Sequence, residues 1–444
     1  MSFPRYPGYK DSGVDWLGEV PSRWRVGPLK RGFSVTLGKM LQPDSAGQDD
    51  ELLPYLRAAN IKWDGVDVTD VKTMWFAPRD KSQLQLKSGD LLVSEGGDVG
   101  RSTIWKEELP ICYFQNSVNR VRPIDENSTR FLYYWMSTIK DKGYVDVLCN
   151  KSTIAHFTAE KVAAVPVPLP PKEEQVSIAN FLDHEAAKID ALVAEQEKLM
   201  ALLKEKRQAV ISHAVTKGLD PTVPMKDSGV EWLGEMPAHW SASALSYVAK
   251  IDTGSTPDRA RAEYWGGDIP WIKTGEINWS PIGEVEEFIT QAGVNGSAVK
   301  VAKPGTLLMA MYGQGVTRGR VAILEIEATF NQACAAIAFQ PAVKSDYARY
   351  FFIAAYSFLR EGGNETSQMN LSAGAVAKFK ITIPPLVEQE NIVQFLEIEA
   401  NKFSILTSEA ERVIALLKER RTALISAAVT GKIDVRGTVK AMAA

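Results

Sequence analysis

Glycine-rich stretches are the first places to look for chemistry, because their backbone can cradle a phosphate. GGDVG (96–100) and YGQGVTRG (312–319) are the two such stretches in the sequence. Both lie between strand-like runs and lack the strand–GxGxxG–helix context of a dinucleotide site, which favours tight turns. The sequence contains no GxxxxGK[ST] phosphate loop and no Asn/Asp-Pro-Pro-aromatic motif of an amino-directed methyltransferase. We therefore predict that the chain itself is not an enzyme.

The spacing of the cysteines and histidines does not predict a metal site. Cys112, Cys149 and Cys334 have no CxxC spacing, and the four histidines are scattered. An odd cysteine count argues against a disulfide framework, and no zinc site is predicted. No apolar run approaches the ~18 residues of a membrane span, and MSFPRYPGYK has no apolar signal core. We expect a cytoplasmic protein without membrane contact.

Charge also limits the possible partners. The chain has 51 Lys and Arg against 54 Asp and Glu, a net charge of −3. A nucleic-acid binder of this composition must gather its positive charge on one face, or rely on a partner for much of the phosphate contact.

A long heptad helix occurs twice and organises the rest of the chain. In each copy apolar residues are spaced alternately three and four apart, which is typical of a coiled-coil seam. Pro-Pro precedes each copy and limits where the helix can begin. The seam positions are Leu182, Glu185, Ile189, Leu192, Leu199, Leu203 and Lys206 in the first copy, and Leu396, Glu399, Phe403, Leu406, Val413, Leu417 and Arg420 in the second.

The globular stretches that precede the two helices are also repeated. KDSGVDWLGEVPSRW (10–24) returns as KDSGVEWLGEMPAHW (226–240), an offset of 216. The same offset pairs Gly38 with Gly254 and Arg57 with Lys273. The predicted domains are a first head (1–169), a first spacer helix (170–217), a second head (218–383), a second spacer helix (384–431) and a tail (432–444).

Chain connectivity predicts how the helices run. The second head begins where the first helix ends and finishes where the second helix begins, so paired helices must be antiparallel. Antiparallel pairing also brings Glu185 near Arg420 and Lys206 near Glu399, although these long side chains could instead extend to solvent. The predicted fold is α+β, with two pseudo-symmetric heads joined by two long antiparallel coiled-coil helices. Packing of each stripe on a globular core is the alternative.

The sequence resembles the specificity subunit of a Type I restriction–modification system over essentially its whole length. The resemblance rests on the two head-opening segments above, on PLPPKEEQVSIANFLD and TIPPLVEQENIVQFLE at the helix starts, and on LLKEKRQAVISHAVTKG and LLKERRTALISAAVTGK at their ends. TGSTPDRARAEYWGGDIPWIKTGEI in the second head adds to it. The first head departs from this pattern, with LGKMLQPDSAGQDDELLPYL in place of the TGSTP and YW elements.

The resemblance implies that the heads are target-recognition domains, each reading one half of a bipartite double-stranded DNA site. It implies that the helices are spacers that dock two modification subunits, which transfer a methyl group to adenine N6. Restriction subunits that translocate DNA would complete the complex. S-adenosylmethionine, ATP and Mg²⁺ are then expected on the partner subunits, and no cofactor on this chain.

Base reading uses Arg or Lys for guanine and Asn or Gln for adenine. For each candidate, solvated surface is the alternative interpretation. The candidates are Lys39, Arg57, Asn60, Lys62, Arg101, Gln115, Asn116 and Lys151 in the first head, and Thr256, Arg259, Lys273, Glu276, Gln314, Arg318, Arg320, Asn331, Gln332, Gln368 and Asn370 in the second.

Two other hypotheses stay open at this stage. The chain could be a coiled-coil protein–protein adaptor that does not bind DNA, or an enzyme with an unrecognised site. Salt-dependent binding of a particular duplex, in the presence of a methyltransferase partner, would separate DNA recognition from both.

Overall fold

The chain forms two compact units. A computed structural model describes residues 3–149, 155–313, 316–361 and 371–438. Unit 1 comprises Met1–Gln196 and Arg412–Ala444, and unit 2 comprises Glu197–Glu411. The first long helix, Lys172–Lys217, has 46 residues, and the second, Leu386–Val429, has 44. Each unit therefore holds one head, the first part of one long helix and the last part of the other.

The first head combines short strands with short helices, as the α+β prediction requires. Its main helix is Thr129–Asp141. The other helices are Pro78–Leu84, Tyr144–Leu148 and Ala159–Ala164. The strands are Tyr9–Asp11, Glu19–Pro21, Arg25–Pro28, Phe33–Leu37, Glu51–Leu56, Lys72–Phe76, Leu91–Ser94, Ser102–Ile104, Tyr113–Phe114, Val118–Pro123 and Pro166–Leu169.

The second head repeats these elements. Its helices are Leu245–Val248, Gln291–Asn295, Ser345–Ala354, Tyr356–Glu361 and Ala373–Lys378. Its strands are Met225–Asp227, Glu235–Pro237, Ser241–Ala244, Ala249–Thr253, Trp265–Ile272, Glu287–Ile289, Val301–Ala302, Leu307–Ala310, Val321–Ile323, Ala328–Phe330, Cys334–Phe339 and Lys380–Ile383.

Each head is built on one antiparallel four-stranded sheet with the same strand order. In the first head the order is Phe33–Leu37, Val118–Pro123, Leu91–Ser94, Ser102–Ile104. In the second it is Ala249–Thr253, Cys334–Phe339, Leu307–Ala310, Val321–Ile323. A second sheet lies beside each, and in it Glu51–Leu56 pairs in parallel with Tyr113–Phe114, and Trp265–Ile272 with Ala328–Phe330.

One inner strand of each four-stranded sheet, Leu91–Ser94 in the first head and Leu307–Ala310 in the second, is covered on both faces. Leu91 and Val93 belong to the core that contains the long-helix ends, whereas Leu92 belongs to the core under the second sheet. In unit 2, Leu307 and Leu308 divide in the same way. A strand buried on both faces needs a continuous apolar run, which explains LLVS and LLMA at these positions.

The antiparallel arrangement of the long helices is present in each unit. In unit 1, Leu182 from the start of the first helix shares a core with Ile425 from the end of the second, and Arg421 Nε lies 2.9 Å from Asp190 Oδ1. In unit 2, Leu396 from the start of the second helix shares a core with Ile211 from the end of the first.

The buried line along these helices differs from the predicted seam at alternate positions. Leu182, Ile189, Leu396 and Phe403 are buried, and Leu203 and Leu417 half-buried. Six of the predicted seam positions between them face outward, whereas Glu185 and Glu399 are half-buried. Leu192, Leu199, Leu406 and Val413 are 46, 43, 51 and 38% exposed, and Lys206 and Arg420 are exposed.

The predicted pairing of the polar seam residues is not the one the structure shows. Glu185 pairs with Lys188 at 2.9 Å and Glu399 with Lys402 at 2.7 Å, each one turn along its own helix. The helix contact is shifted by one residue from the predicted seam at this place, so that Arg421, and not Arg420, pairs with a carboxylate of the other helix, that of Asp190.

A Glu-Gln pair in the first turn of each long helix joins that helix to its head. Gln175 Oε1 accepts the Ser128 backbone N–H at 2.9 Å, and Gln389 Oε1 accepts that of Lys344 at 2.8 Å. Both glutamines are buried. The preceding glutamates accept from indoles, Glu174 from Trp24 at 2.9 Å and Glu388 from Trp240 at 2.8 Å.

We expect Gln389→Ala to lower the free energy of unfolding of unit 2 by about 2–3 kcal/mol, because it leaves the Lys344 N–H and the carbonyls of Ala342 and Pro384 without their partner. Hydrogen exchange of the second head would measure this. Gln394→Ala, at an exposed position of the same helix, is the matched control and should change stability by less than about 0.5 kcal/mol. Equal protection in both variants would contradict the prediction.

Candidate nucleic-acid interface

In the first head, several of the predicted base-reading residues lie in loops that bond to one another. The Lys39 N–H donates to the Phe114 carbonyl at 3.1 Å, and the Asn116 N–H to the Lys39 carbonyl at 2.9 Å. Ser117 Oγ accepts the Ala58 N–H at 3.1 Å, and Arg101 Nη2 donates to the Ala58 carbonyl at 3.0 Å. Segments that are far apart in sequence therefore form one surface at the strand ends.

The second head brings the equivalent segments together. The Ser255 N–H donates to the Phe330 carbonyl at 3.0 Å, and the Asn331 N–H to the Ile272 carbonyl at 3.0 Å. The Thr256 hydroxyl hydrogen-bonds Gln332 Oε1. A groove at this place is lined by Thr256, Lys273 and Asn331 among other residues.

The repeated glycine at the edge of each surface has a steric cause. A Cβ at Gly38 would lie 2.2 Å from the Gln115 carbonyl oxygen, and one at Gly254 2.0 Å from that of Phe330. Because no side chain tolerates such distances to backbone, only glycine lets the two loops approach. The pairing of Gly38 with Gly254 in the sequence therefore marks a contact shared by both heads.

The matched residues Arg57 and Lys273 occupy the same position in a braced turn. Each is the residue before a single 3₁₀ turn, Ala58–Asn60 or Thr274–Glu276. Asn60 Oδ1 accepts the Arg57 N–H at 2.9 Å, and Glu276 Oε2 accepts the Lys273 N–H at 2.6 Å.

Asn60 and Glu276 are therefore structural parts of this turn in the free chain. Asn60 is 3% exposed, and its amide nitrogen also donates to the carbonyls of Asp67 and Asp70. The second oxygen of Glu276 accepts the Glu286 N–H at 3.0 Å. Because their polar atoms are already bonded within the head, a base contact by either residue would require it to give up these bonds, and base contact by them stays a prediction.

The charged ends of the two matched residues meet carboxylates that are matched as well. Arg57 Nη2 lies 2.7 Å from Asp70 Oδ2, and Lys273 Nζ lies 2.9 Å from Glu286 Oε2. Asp70 and Glu286 are themselves 216 residues apart, so the whole ion pair is duplicated. Hydrogen bonds that Lys273 donates to Glu286 and to Glu287 raise the pKa of Lys273, which holds it in the charged form.

Other candidate cations in these surfaces are also engaged. Lys39 forms an ion pair with Asp80 and lies over the Phe76 ring at 5.5 Å. Arg259 lies 3.7 Å from the Trp265 ring centroid and pairs with Glu287 at 2.6 Å. The hydrogen bond from Arg259 is the main cause of the lowered pKa of Glu287. A nucleic-acid phosphate would have to compete with these carboxylates.

The remaining candidates divide into three groups. Lys62, Gln115, Asn116, Arg320 and Asn331 are half-buried, and Gln332 is exposed. Arg318 is 7% exposed and donates to the Arg360 carbonyl at 2.6 Å, so its guanidinium is turned to the helix Tyr356–Glu361. Lys151, Gln314, Gln368 and Asn370 lie outside the described residues.

The sequence interpretation missed the acidic partners of the cations. Four acidic residues without an assigned role in the sequence interpretation lie within ion-pair distance of a candidate, namely Asp70, Asp80, Glu286 and Glu287. The equal offset of Asp70–Glu286 and Arg57–Lys273 was the available signal. For Asp80 and Glu287 no repeated spacing was present, since the loops that carry Lys39 and Arg259 differ between the heads.

Comparison with known proteins identifies the family. The model of the Type I restriction modification DNA specificity domain matches residues 24–200 and again residues 237–414. The specificity subunit of the Type I restriction enzyme EcoR124I/EcoR124II from Escherichia coli is 24% identical over 304 residues, 66% of this chain and 68% of that protein. The MjaVIII specificity subunit of Methanocaldococcus jannaschii is 21% identical over 429 residues, 94% of each chain.

The fold agrees with this assignment. A chain solved in work on complex assembly and conformational transition of the type I R-M system superposes with a TM-score of 0.71 at 16% identity, covering 92% of this chain and 98% of that one. The chain belongs to the Type I restriction–modification specificity-subunit family, with one copy of the family domain in each half.

The described residues contain neither a membrane-spanning helix nor a cluster of metal ligands. No helix there is both long and apolar enough to cross a membrane. No group of three or more His, Cys, Asp or Glu in the described ranges is arranged to hold a metal ion.

The duplicated ion pair predicts opposite effects on DNA binding for its two members. We expect Lys273→Ala to weaken binding of duplex DNA and to reduce the slope of log K against log salt by about one, if Lys273 contacts phosphate. Glu286→Gln should strengthen binding about two- to fivefold, because it removes a competing carboxylate that is largely exposed and screened. Fluorescence anisotropy over a salt series, repeated with Arg57→Ala and Asp70→Asn, would measure both. Unchanged binding in all four variants would exclude the pairs from the interface.

Proposed function

We propose that this chain is the DNA-recognition subunit of a Type I restriction–modification complex, and that each head reads one half of a bipartite target. The duplicated braced turn carries this proposal: Arg57–Asp70 and Lys273–Glu286 have the same backbone setting in both heads. The adjoining loops differ, with LGKMLQPDSAG in one head and TGSTPDRARAEYW in the other. A shared element that contacts the DNA phosphate backbone, beside loops of different sequence that contact bases, suits two heads that recognise different half-sites.

The long helices are proposed to set the gap between the half-sites and to dock two modification subunits. Their outward faces support docking, because they carry large apolar side chains that a monomeric surface rarely exposes together. The exposed residues are Leu192, Leu199 and Leu202 on the first helix and Phe395, Ile398, Ile405, Leu406, Val413 and Leu416 on the second.

Catalysis is proposed to lie in the partner subunits. Modification subunits would bind S-adenosylmethionine and methylate adenine N6, and restriction subunits would use ATP and Mg²⁺. This chain would contribute DNA recognition and positioning. Exposed apolar helix faces would also suit an adaptor that binds only proteins, and the next experiment distinguishes the two functions.

Exchange of one head tests whether each head recognises its half-site independently of the other. Replacing residues 25–165 with the corresponding head of another family member should change one half of the recognised sequence and leave the other half intact. Methylome sequencing of cells that express the hybrid with its modification subunit would show the two half-sites directly. A change in both halves, or methylation independent of this chain, would contradict the proposal.

Lengthening one long helix tests whether the helices act as a spacer. Duplicating LLKE after Glu205 adds four residues, about 6 Å and roughly one turn. At about 3.4 Å per base pair, this is nearly two base pairs. Since the insertion is in one helix only, local unwinding can absorb part of it. We therefore expect a gap longer by one or two base pairs with both half-sites unchanged.

The control for the insertion is Glu205→Ala, which alters the same exposed position without changing the helix length. Methylation mapping of both variants gives the gap in each. An active insertion variant with the original gap would show that helix length does not determine the spacing.

A further inference from the structure

Two phenylalanines at the same position of the long helices differ sharply in burial. Phe181 in the first helix and Phe395 in the second are 214 residues apart, the offset that relates the helices. Phe181 is 1% exposed, whereas Phe395 is 37% exposed. The repeated sequence gives both residues the same helical setting, so the difference must come from what packs against them.

In unit 1 a residue from the start of the chain covers Phe181. The Phe3 ring packs edge-to-face on it, with centroids 5.3 Å apart and planes at 84°. Phe3 is held there by neighbours from both chain ends. Asp434 N–H donates to the Pro4 carbonyl at 2.8 Å, and the Tyr9 hydroxyl to the Gly431 carbonyl at 3.1 Å. Two chain segments therefore meet over Phe181.

In unit 2 a single segment takes the place of these two. The chain leaves the first long helix at Lys217 and enters the second head at Met225. Leu219, which aligns with Phe3 at the offset of 216, remains 42% exposed. An apolar pocket lined by Phe395, Leu219, Val210 and Ala214 is left open here.

The surroundings of the pocket restrict what can fill it. Ile398 and Ile405 lie 3 and 10 residues after Phe395 on the same helix face and are 51 and 56% exposed, so the pocket continues an apolar stripe. Lys206 and His213 form its rim, and no carboxylate lines it. Lys206 is exposed to solvent. The complementary occupant is an aromatic side chain on an acidic segment.

We propose that an aromatic side chain of the modification subunit enters this pocket and covers Phe395 as Phe3 covers Phe181. The inference rests on the proposed docking of modification subunits to the long helices. It assigns this anchor to the modification subunit that binds beside unit 2, because unit 1 fills its equivalent position with its own chain. The two modification subunits are then held by different contacts.

The test uses the full-length chain and the modification subunit expressed with it. Ala209→Lys places a charge in the pocket from an exposed helix position, and Leu219→Phe fills the pocket from within. Each should weaken one of the two binding events at least tenfold and leave the other unchanged, as truncation of a buried aromatic anchor does. Lys206→Glu should weaken the same event. Native mass spectrometry and calorimetric titration would report the stoichiometry and both affinities.

Tyr247→Ser, which alters an aromatic residue 77% exposed elsewhere in unit 2, is the control and should bind two modification subunits normally. Thermal melting identifies any variant that misfolds. If Leu219→Phe misfolds, Ala209→Lys still tests the pocket. Two wild-type affinities in both pocket variants would overturn the pocket assignment while leaving the proposed function intact. Wild-type affinity in Lys206→Glu alone would overturn the acidic character of the occupant. If the unaltered chain bound no modification subunit, both the proposed function and this inference would fail.

Discussion

The structure depends on the buried hydrogen bonds that join the first turn of each long helix to its head. A head that packs against a helix start has backbone polar groups that need hydrogen-bond partners there. Gln175 and Gln389 bond to backbone groups of the heads and to the carbonyls of Pro170 and Pro384 just before the helices, and the indoles of Trp24 and Trp240 donate to the neighbouring glutamates. Because loss of either partner would leave buried polar atoms unsatisfied, the orientation of each head on its helix is strongly constrained.

The two halves share the framework of each head and differ in the loops that it carries. The four-stranded sheets have the same strand order, and the braced turns at Arg57 and Lys273 have the same ion pair. The loops beside them carry different side chains, such as Lys39 over Phe76 in one head and Arg259 over Trp265 in the other. A rigid common base with variable loops is the usual way in which one fold supports several specificities.

Charge explains why a chain with a net charge of −3 can still present cations at these surfaces. The cations described there, such as Arg57 and Lys273, are balanced by carboxylates that hold them in place while the surface is empty. Under the proposed function, DNA phosphates replace some of these carboxylates as partners of the cations. Because breaking the ion pairs costs free energy, the isolated chain has a limited affinity for DNA, and contacts from partner subunits would raise it. The pseudo-symmetry is also broken at Phe181 and Phe395, which are equivalent residues of the two helices but differ in burial.

The sequence by itself determined the duplicated architecture, the antiparallel helices and the pairing of Gly38 with Gly254, because repeats and connectivity are properties of the chain order. It did not determine the phase of the helix contact: Leu192 stands beside Val193, and Leu199 beside Met200, so either neighbour suits a heptad. Only the packed structure places Leu192 and Leu199 outward, turns Asn60 inward and supplies Asp80 to Lys39. These outcomes depend on contacts between segments far apart in sequence, and local pattern carries no information about which polar group will meet which.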